Sequence, residues 1–345
     1  MKLLLLGGTR WLGSEIARAA VARGHDVTCV ARGDGVPEGT RLIRADRDDD
    51  GALAAVSAAP GGWDAVVDLA TEPGHVRRAL RDLASSGRYL FVSSVSVYAD
   101  LSKPGVTEDS PVLSPLKADA MGSWEEYGSA KVACENAVLD AFGPERSIVV
   151  RPGLIGGPGD TSGRTTYWPL RFARAADAGD GQSGLAPVLV PDTPDLPTAV
   201  IDVRDLAEWI VTLADDGLAG VFNATGHVTL LADHLAAARR VVGHTSPVVA
   251  ASPDFLHEQG VGEWAGKRSL PLWVAAPEVA AMGAVVNARA VAAGLRLRPL
   301  ESTLADSLRW SLDSGGEVGR PSGLTDPEEA ELLHAFDGLG SVRRL

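Results

Sequence analysis

The sequence predicts an α/β protein with a doubly wound parallel sheet and a smaller C-terminal α+β lobe. Over the first 155 residues, short apolar runs alternate with helical patterns, an order typical of parallel βαβ units. The first run, residues 3–6, is apolar throughout, as expected of a strand buried on both faces. It ends in Gly7-Gly8, and a helical pattern over residues 11–23 follows. These observations place a strand, a glycine turn and a helix at the start of the sheet.

The glycine turn predicts a Rossmann-type dinucleotide site. Gly7 and Gly13 hold the outer positions of a G-x-x-G-x-x-G pattern, whereas Arg10 takes the position of the middle glycine. The free N–H groups at a helix start favour a pyrophosphate, and so does the helix dipole. An ordinary tight turn is the alternative. The expected cofactor contacts here are Gly7, Thr9, Arg10, Trp11 and Leu12.

The end of the second strand indicates which cofactor binds. NAD enzymes of this fold commonly carry an acid there for the ribose 2′-hydroxyl, but the strand over residues 26–31 is followed by Arg32. An arginine can pair with a 2′-phosphate, so NADP is favoured and NAD stays open. Alternatively, Arg32 is a solvated loop charge. Asp46, after the strand at 42–45, is expected near the adenine amino group. Leu69, Ala70 and Thr71, at the end of the strand at 64–69, are expected beside the cofactor.

The strongest chemical signal is the pair Tyr127 and Lys131, four residues apart in a helical pattern over residues 122–141. A free phenol has a pKa of about 10, and an ammonium one turn away has the sign of charge that lowers it. A serine from the run after the strand at 88–92 can orient a substrate oxygen. The alternative for the pair is a solvated helix face.

With these motifs, the chain resembles the extended branch of the short-chain dehydrogenase/reductase superfamily, which contains NAD(P)-dependent epimerases, dehydratases and reductases. The motifs are Gly7-Gly-Thr-Arg-Trp-Leu-Gly13, Val92-Ser-Ser-Val-Ser-Val-Tyr98, Tyr127-Gly-Ser-Ala-Lys131, Arg151-Pro-Gly-Leu-Ile-Gly-Gly-Pro158 and Ile201-Asp-Val-Arg-Asp-Leu-Ala207. The resemblance implies that Ser94, Tyr127 and Lys131 are catalytic. It also implies that Tyr127 and Lys131 contact the cofactor, Lys131 at the nicotinamide ribose. It further implies that Pro152, Gly153 and Leu154 line the nicotinamide pocket. The stretch Ser94-Val95-Ser96 has no acids, which disfavours sugar-nucleotide dehydratase chemistry.

The remaining chain predicts the substrate lobe. We expect residues 1–155 to form the dinucleotide domain, residues 198–225 to rejoin it, and residues 156–197 and 226–345 to form the lobe. Residues 177–198 are expected to form a flap or hairpin. The candidate substrate contacts are Ser96, Arg164, Trp168 and Arg171. Core packing is the alternative for Trp168, and solvent exposure is the alternative for Arg171.

Composition excludes several function classes. The net charge of −13 argues against a nucleic-acid surface, and no apolar run approaches the length of a membrane span. Two unclustered cysteines favour a reducing compartment, so we expect a cytoplasmic protein. No histidine pair has zinc-site spacing, so no catalytic metal is expected. The expected partner is a small-molecule substrate, and a homodimer stays open.

Three functions compete at this point. The first is an NADPH-dependent reductase acting by hydride transfer between a nicotinamide and a secondary alcohol or ketone. The second is an NAD(P)-dependent epimerase of a nucleotide sugar or a related metabolite. The third is a non-catalytic dinucleotide-binding protein, which the presence of Ser94, Tyr127 and Lys131 disfavours.

Overall fold

The computed structural model describes residues 1–177, 187–245, 248–314 and 322–338. Part of the expected flap, residues 178–186, lies outside the described residues. The strands are β1 (Lys2–Leu6), β2 (Asp26–Ala31), β3 (Arg41–Arg44), β4 (Ala65–Asp68), β5 (Arg88–Val92), β6 (Ser147–Pro152), β7 (Leu154–Gly156), β8 (Val188–Pro191), β9 (Pro197–Thr198), β10 (Val200–Asp202), β11 (Gly220–Ala224), β12 (Thr229–Leu230), β13 (Val248–Ala251), β14 (Gly262–Trp264) and β15 (Ser269–Pro271). The helices are α1 (Trp11–Ala22), α2 (Ala54–Ser57), α3 (Pro73–Asp82), α4 (Tyr127–Phe142), α5 (Tyr167–Asp177), α6 (Val203–Asp216), α7 (Leu231–Val242), α8 (Pro253–Glu258), α9 (Ala288–Ala292), α10 (Leu300–Asp313) and α11 (Asp326–Asp337).

The main sheet has seven parallel strands in the order β11-β6-β5-β4-β1-β2-β3. The predicted doubly wound α/β fold is therefore confirmed. The strand order reverses on either side of β1, because β1 pairs with both β2 and β4. In open α/β sheets, ligands bind outside the carboxyl ends of the strands at such a reversal.

Both faces of the sheet are buried, which explains the apolar strand runs. Alternate side chains of a strand point to opposite faces. Leu3 and Leu5 accordingly pack with α1 and α6 in one core, whereas Leu4 and Leu6 pack with α3 and α4 in another. All four leucines have no exposed surface.

A second core lies in the C-terminal part of the chain. Trp168 and Phe172 of α5 pack there with Trp273 and with residues of α7, β8 and β13. This second core is built from residues before and after β11 in the sequence. Strand β11 itself pairs with β6 at the edge of the main sheet. The domain boundaries given above stay a prediction.

Several elements differ from the sequence-based bounds. The helix expected from residue 122 begins at Tyr127, after a single 3₁₀ turn over Trp124–Glu126. At the start of the segment expected to rejoin the dinucleotide domain, two short strands follow each other: β9 pairs with β12, and β10 pairs with β7. In the described part of the chain, no helix has both the length and the apolar character needed to cross a membrane.

Candidate active site

The turn between β1 and α1 forms a glycine cradle. Gly7 has a φ of +111°, a conformation that favours glycine, and its N–H donates to the Val30 carbonyl at 2.9 Å. A Cβ on Gly13 would lie 2.2 Å from the Gly7 carbonyl oxygen. Arg10, the N-cap of α1, makes no side-chain cap bond, and the first turn has no acidic residue. The first N–H groups of α1 are therefore available to an anion, which fits a dinucleotide pyrophosphate.

A cleft of about 800 Å³ lies over this cradle, and we call it the nucleotide cleft. It contains every residue that the sequence placed around the adenosine and pyrophosphate. These are Gly7, Thr9, Arg10, Trp11, Leu12, Arg32, Asp46, Leu69, Ala70 and Thr71. The guanidinium of Arg32 is 65% exposed and lies 3.7 Å from the carboxylate of Asp46. The two residues proposed for the ribose and the adenine thus form a surface ion pair.

Sequence reasoning missed a buried polar group beneath this cleft. Asp68, which ends β4, has no exposed surface and accepts two hydrogen bonds from Arg47, at 2.6 and 2.9 Å. It also accepts from the Tyr89 hydroxyl and from the Ala70 N–H. Burial alone would raise the pKa of Asp68, but the charge and hydrogen bonds of Arg47 hold it below its usual value. The sequence did contain a sign of this buried group, because Asp68 ends a strand whose other residues are all apolar.

A second cavity of about 430 Å³ adjoins the nucleotide cleft, and we call it the substrate cavity. The two share Trp11, Leu12, Leu69 and Thr71. The substrate cavity contains Ser94, Tyr127 and Lys131 together with Pro152, Gly153 and Leu154. The fold therefore brings the three candidate catalytic residues together with the expected nicotinamide wall, in the cavity that adjoins the nucleotide cleft.

Tyr127 is the first residue of α4, and its ring stacks on Trp124 at a centroid distance of 4.8 Å. Burial raises the pKa of Tyr127, while a hydrogen bond with the Ser94 hydroxyl acts in the opposite direction. The expectation of a lowered phenol pKa for Tyr127 is therefore wrong. The physical reason is that burial destabilises a phenolate more than the neighbouring donors stabilise it.

Lys131 is only 3% exposed, and its Nζ donates to the carbonyl oxygens of Ala70 and Val92, both at 2.8 Å. Burial lowers its pKa from 10.5 to about 8. Its ammonium lies 5.8 Å from the centre of the Tyr127 ring. Lys131 thus ties the ends of β4 and β5 together directly below the cavity.

An ion pair supports the site from behind. Arg151 donates to both carboxylate oxygens of Glu135, at 2.9 and 2.7 Å, and both side chains are buried. Glu135 lies one turn after Lys131 on α4 and also accepts from the Ser93 hydroxyl. Arg151 further donates to the Tyr98 hydroxyl at 3.0 Å. These bonds fix the segment on which Ser94 lies.

The comparison with known families agrees with this geometry. The model of the NAD dependent epimerase/dehydratase family matches residues 3–86 and 78–224. The chain belongs to this family. Its members share the short-chain dehydrogenase/reductase fold, and the chain is an NAD(P)-dependent enzyme of that type.

Three relatives illustrate the similarity. A 3-diazoavenalumate denitrifying reductase of Streptomyces is 28% identical over 240 residues, which are 63% of this chain and 76% of the relative. The UDP-glucuronic acid 4-epimerase of Bacillus cereus, solved with NAD, is 15% identical, with a TM-score of 0.62 over 91% of this chain and 99% of its own. The UDP-glucose 4-epimerase of Thermotoga maritima, solved with UDP-glucose, has the same identity, TM-score and coverage. At such identities, the two solved structures show the fold alone.

The four candidate substrate residues of this epimerase/dehydratase family member divide into two groups. Ser96 and Arg164 line the substrate cavity. Trp168 and Arg171 do not, so their assignment is corrected. Trp168 is fully buried in the second core and donates from its indole to the Pro271 carbonyl at 2.8 Å. Arg171 forms a buried ion pair with Glu329 of α11, a partner too distant in sequence for the local pattern to reveal.

Proposed function

We propose that the protein is an NADPH-dependent reductase that converts a ketone into a secondary alcohol. The observation that carries the proposal is the presence of Ser94, Tyr127 and Lys131 together in a cavity that adjoins the nucleotide cleft. A bound nicotinamide would supply a hydride to the carbonyl carbon. The oxygen of the same carbonyl must then receive a proton.

The side chains suit this division of labour. Ser94 can donate a hydrogen bond to the substrate oxygen, and Tyr127 can donate the proton. The raised pKa of Tyr127 keeps the phenol protonated at neutral pH, as a proton donor in reduction requires. Lys131 holds the backbone of Ala70 and Val92 at the floor of the site through two hydrogen bonds. The buried cation also stabilises negative charge that develops nearby.

Arg32 supports the choice of NADPH. It is the first residue after β2, it lines the nucleotide cleft, and most of its side chain is exposed. Its partner Asp46 is itself 42% exposed, and the ion pair of 3.7 Å is a weak one. A 2′-phosphate can therefore compete for the guanidinium, with which it forms charge-assisted hydrogen bonds.

The similarity to a reductase of Streptomyces supports reduction. A reductase that oxidises NADPH in each turnover must exchange its nucleotide, so the proposal predicts a protein that does not retain it. The test begins by denaturing the purified protein and identifying any released nucleotide by mass spectrometry. We expect no stoichiometric nucleotide, and tighter binding of NADPH than of NADH when the protein is titrated with each. Stoichiometric, retained NAD would favour an epimerase and contradict the assignment of Arg32.

A further inference from the structure

Away from Tyr127, the substrate cavity is apolar and aromatic. Its walls include Leu196, Leu272, Val274, Trp264 and Met282, and Trp124 lies at its edge with 74% of its surface exposed. Among the described residues that line it, there is no Asp, Glu, His, Asn or Gln. Such a surface favours a flat, apolar ligand.

Most of the polar atoms in this wall already have partners. Thr198 donates from its hydroxyl to the Thr229 carbonyl at 2.9 Å, and Thr225 donates to the Val285 carbonyl at 3.1 Å. Lys131 is bound to the two carbonyls described above. Among the described lining residues, the other cation is Arg164.

Arg164 has the surroundings of an anion-binding residue. Its Nε donates to the Ser162 hydroxyl at 3.1 Å, and its guanidinium lies 5.3 Å from the centre of the Trp264 ring. Among the described residues, Arg164 forms no ion pair with a carboxylate within 4 Å. Asp160 acts on it at longer range, but that carboxylate accepts hydrogen bonds from Ser162 and Thr165. A half-buried cation without a close counter-ion is stabilised by an anionic ligand.

The backbone of the facing wall is strained. Trp264 and Leu272 have φ values of 64° and 71°, in the left-handed region that costs energy for residues other than glycine. Both side chains line the substrate cavity. Strain of this kind clusters at ligand sites, where the surrounding structure holds side chains in a required orientation. Trp264, one of the two strained residues, is the one whose ring lies next to the Arg164 guanidinium.

We propose that the substrate is a planar aromatic ketone that also carries one carboxylate. Its carboxylate binds Arg164, its ring lies against Trp124 and Trp264, and its ketone oxygen meets Ser94 and Tyr127. This inference rests on the reductase function proposed above and specifies its substrate. A nucleotide sugar fits less well, because its two phosphoryl charges and its many hydroxyls require more cations and hydrogen-bond partners than this wall provides.

The test is isothermal titration calorimetry of the protein with cinnamate, methyl cinnamate and UDP-glucose, each with and without NADP. We expect cinnamate to bind most tightly. The Arg164→Gln variant should weaken cinnamate binding by about 10- to 100-fold, the worth of a hydrogen bond to a charged group, and leave methyl cinnamate binding unchanged. Arg296→Gln, at an exposed arginine outside both cavities, is the matched control and should change neither.

Three results would overturn this inference: equal binding of cinnamate and its methyl ester, no cinnamate binding at millimolar concentration, or tighter binding of UDP-glucose. If the Arg164 variant does not fold, the affinities of cinnamate and methyl cinnamate for the unmodified protein still test whether a carboxylate is recognised. The proposed function fails separately. NADPH binding without cinnamate binding overturns only the substrate class, whereas cinnamate binding without NADPH binding overturns only the cofactor-dependent reductase.

Discussion

Because burial lowers the pKa of Lys131, the free energy of unfolding of the protein should depend on pH. The pKa of Lys131 is about 8 in the folded chain and 10.5 without burial. At pH 7, this difference corresponds to a cost of about 3 kcal/mol for keeping the buried amine charged. Between pH 8 and 10.5, the unfolded chain holds a proton that the folded chain has lost. The contribution of Lys131 to stability therefore rises with pH through that window.

Replacing Lys131 by Met isolates this effect. At pH 7, the variant no longer bears the cost of a buried charged amine. It also leaves the carbonyls of Ala70 and Val92 without a donor, which costs about 1 to 3 kcal/mol each, so the two effects largely offset each other. At pH 10, the unmodified protein has lost most of the charge cost. The variant should then be less stable relative to it, by about 2 to 3 kcal/mol more than at pH 7.

The assay is equilibrium unfolding in urea at both pH values. Burial raises the pKa of Cys29 to about 11 and that of Cys134 to about 12, so these thiols titrate in this range only when the chain unfolds. Burial is the largest cause in both cases, so their contribution is similar in the two proteins. Lys117→Met, at an exposed lysine, is the matched control and should show no such pH dependence. A stability difference between the unmodified and Lys131 proteins that is the same at pH 7 and pH 10 would refute the lowered lysine pKa.

Three further substitutions test other parts of the site. Arg32→Asp should weaken NADPH binding by about 10-fold or more and NADH binding less, because only NADPH carries the 2′-phosphate; an equal loss in fluorescence titrations of both nucleotides would make that assignment wrong. Gly13→Ala should sharply reduce the affinity for both nucleotides, since its Cβ would overlap the backbone of the glycine loop. Gly35→Ala, with no atom within 4 Å of the added Cβ, should bind both normally. Arg151→Met should lower the free energy of unfolding by about 3 to 5 kcal/mol, because it leaves the buried carboxylate of Glu135 without its partner; urea unfolding that shows a loss below 1 kcal/mol would contradict the buried pair.

The features that sequence could predict are those encoded locally. Residues 3–6 are uniformly apolar because both faces of the sheet are covered, and Gly7 and Gly13 follow because the turn requires them. Tyr127 and Lys131 share a helix face through their spacing. The motif also placed Arg32 at the end of a strand, but whether it binds a phosphate depends on a nucleotide and stays a prediction.

The features that sequence missed depend on contacts between distant segments. Arg171 and Trp168 lie in a stretch expected to meet substrate, yet their partners are Glu329 and Pro271, more than 100 positions away. The pKa of Tyr127 was expected to fall because a lysine is near in sequence. Burial, which no local pattern reveals, reverses the direction.

The most direct test of the central claim is the Tyr127→Phe variant, assayed with a carbonyl substrate found by screening NADPH oxidation. Removing the hydroxyl removes the proton donor but leaves the nucleotide cleft unchanged, because Tyr127 lies outside it. We expect turnover to fall by about 100-fold or more, with the NADPH dissociation constant changed less than about 3-fold. Turnover close to that of the unmodified enzyme would contradict the assignment of Tyr127 as the proton donor.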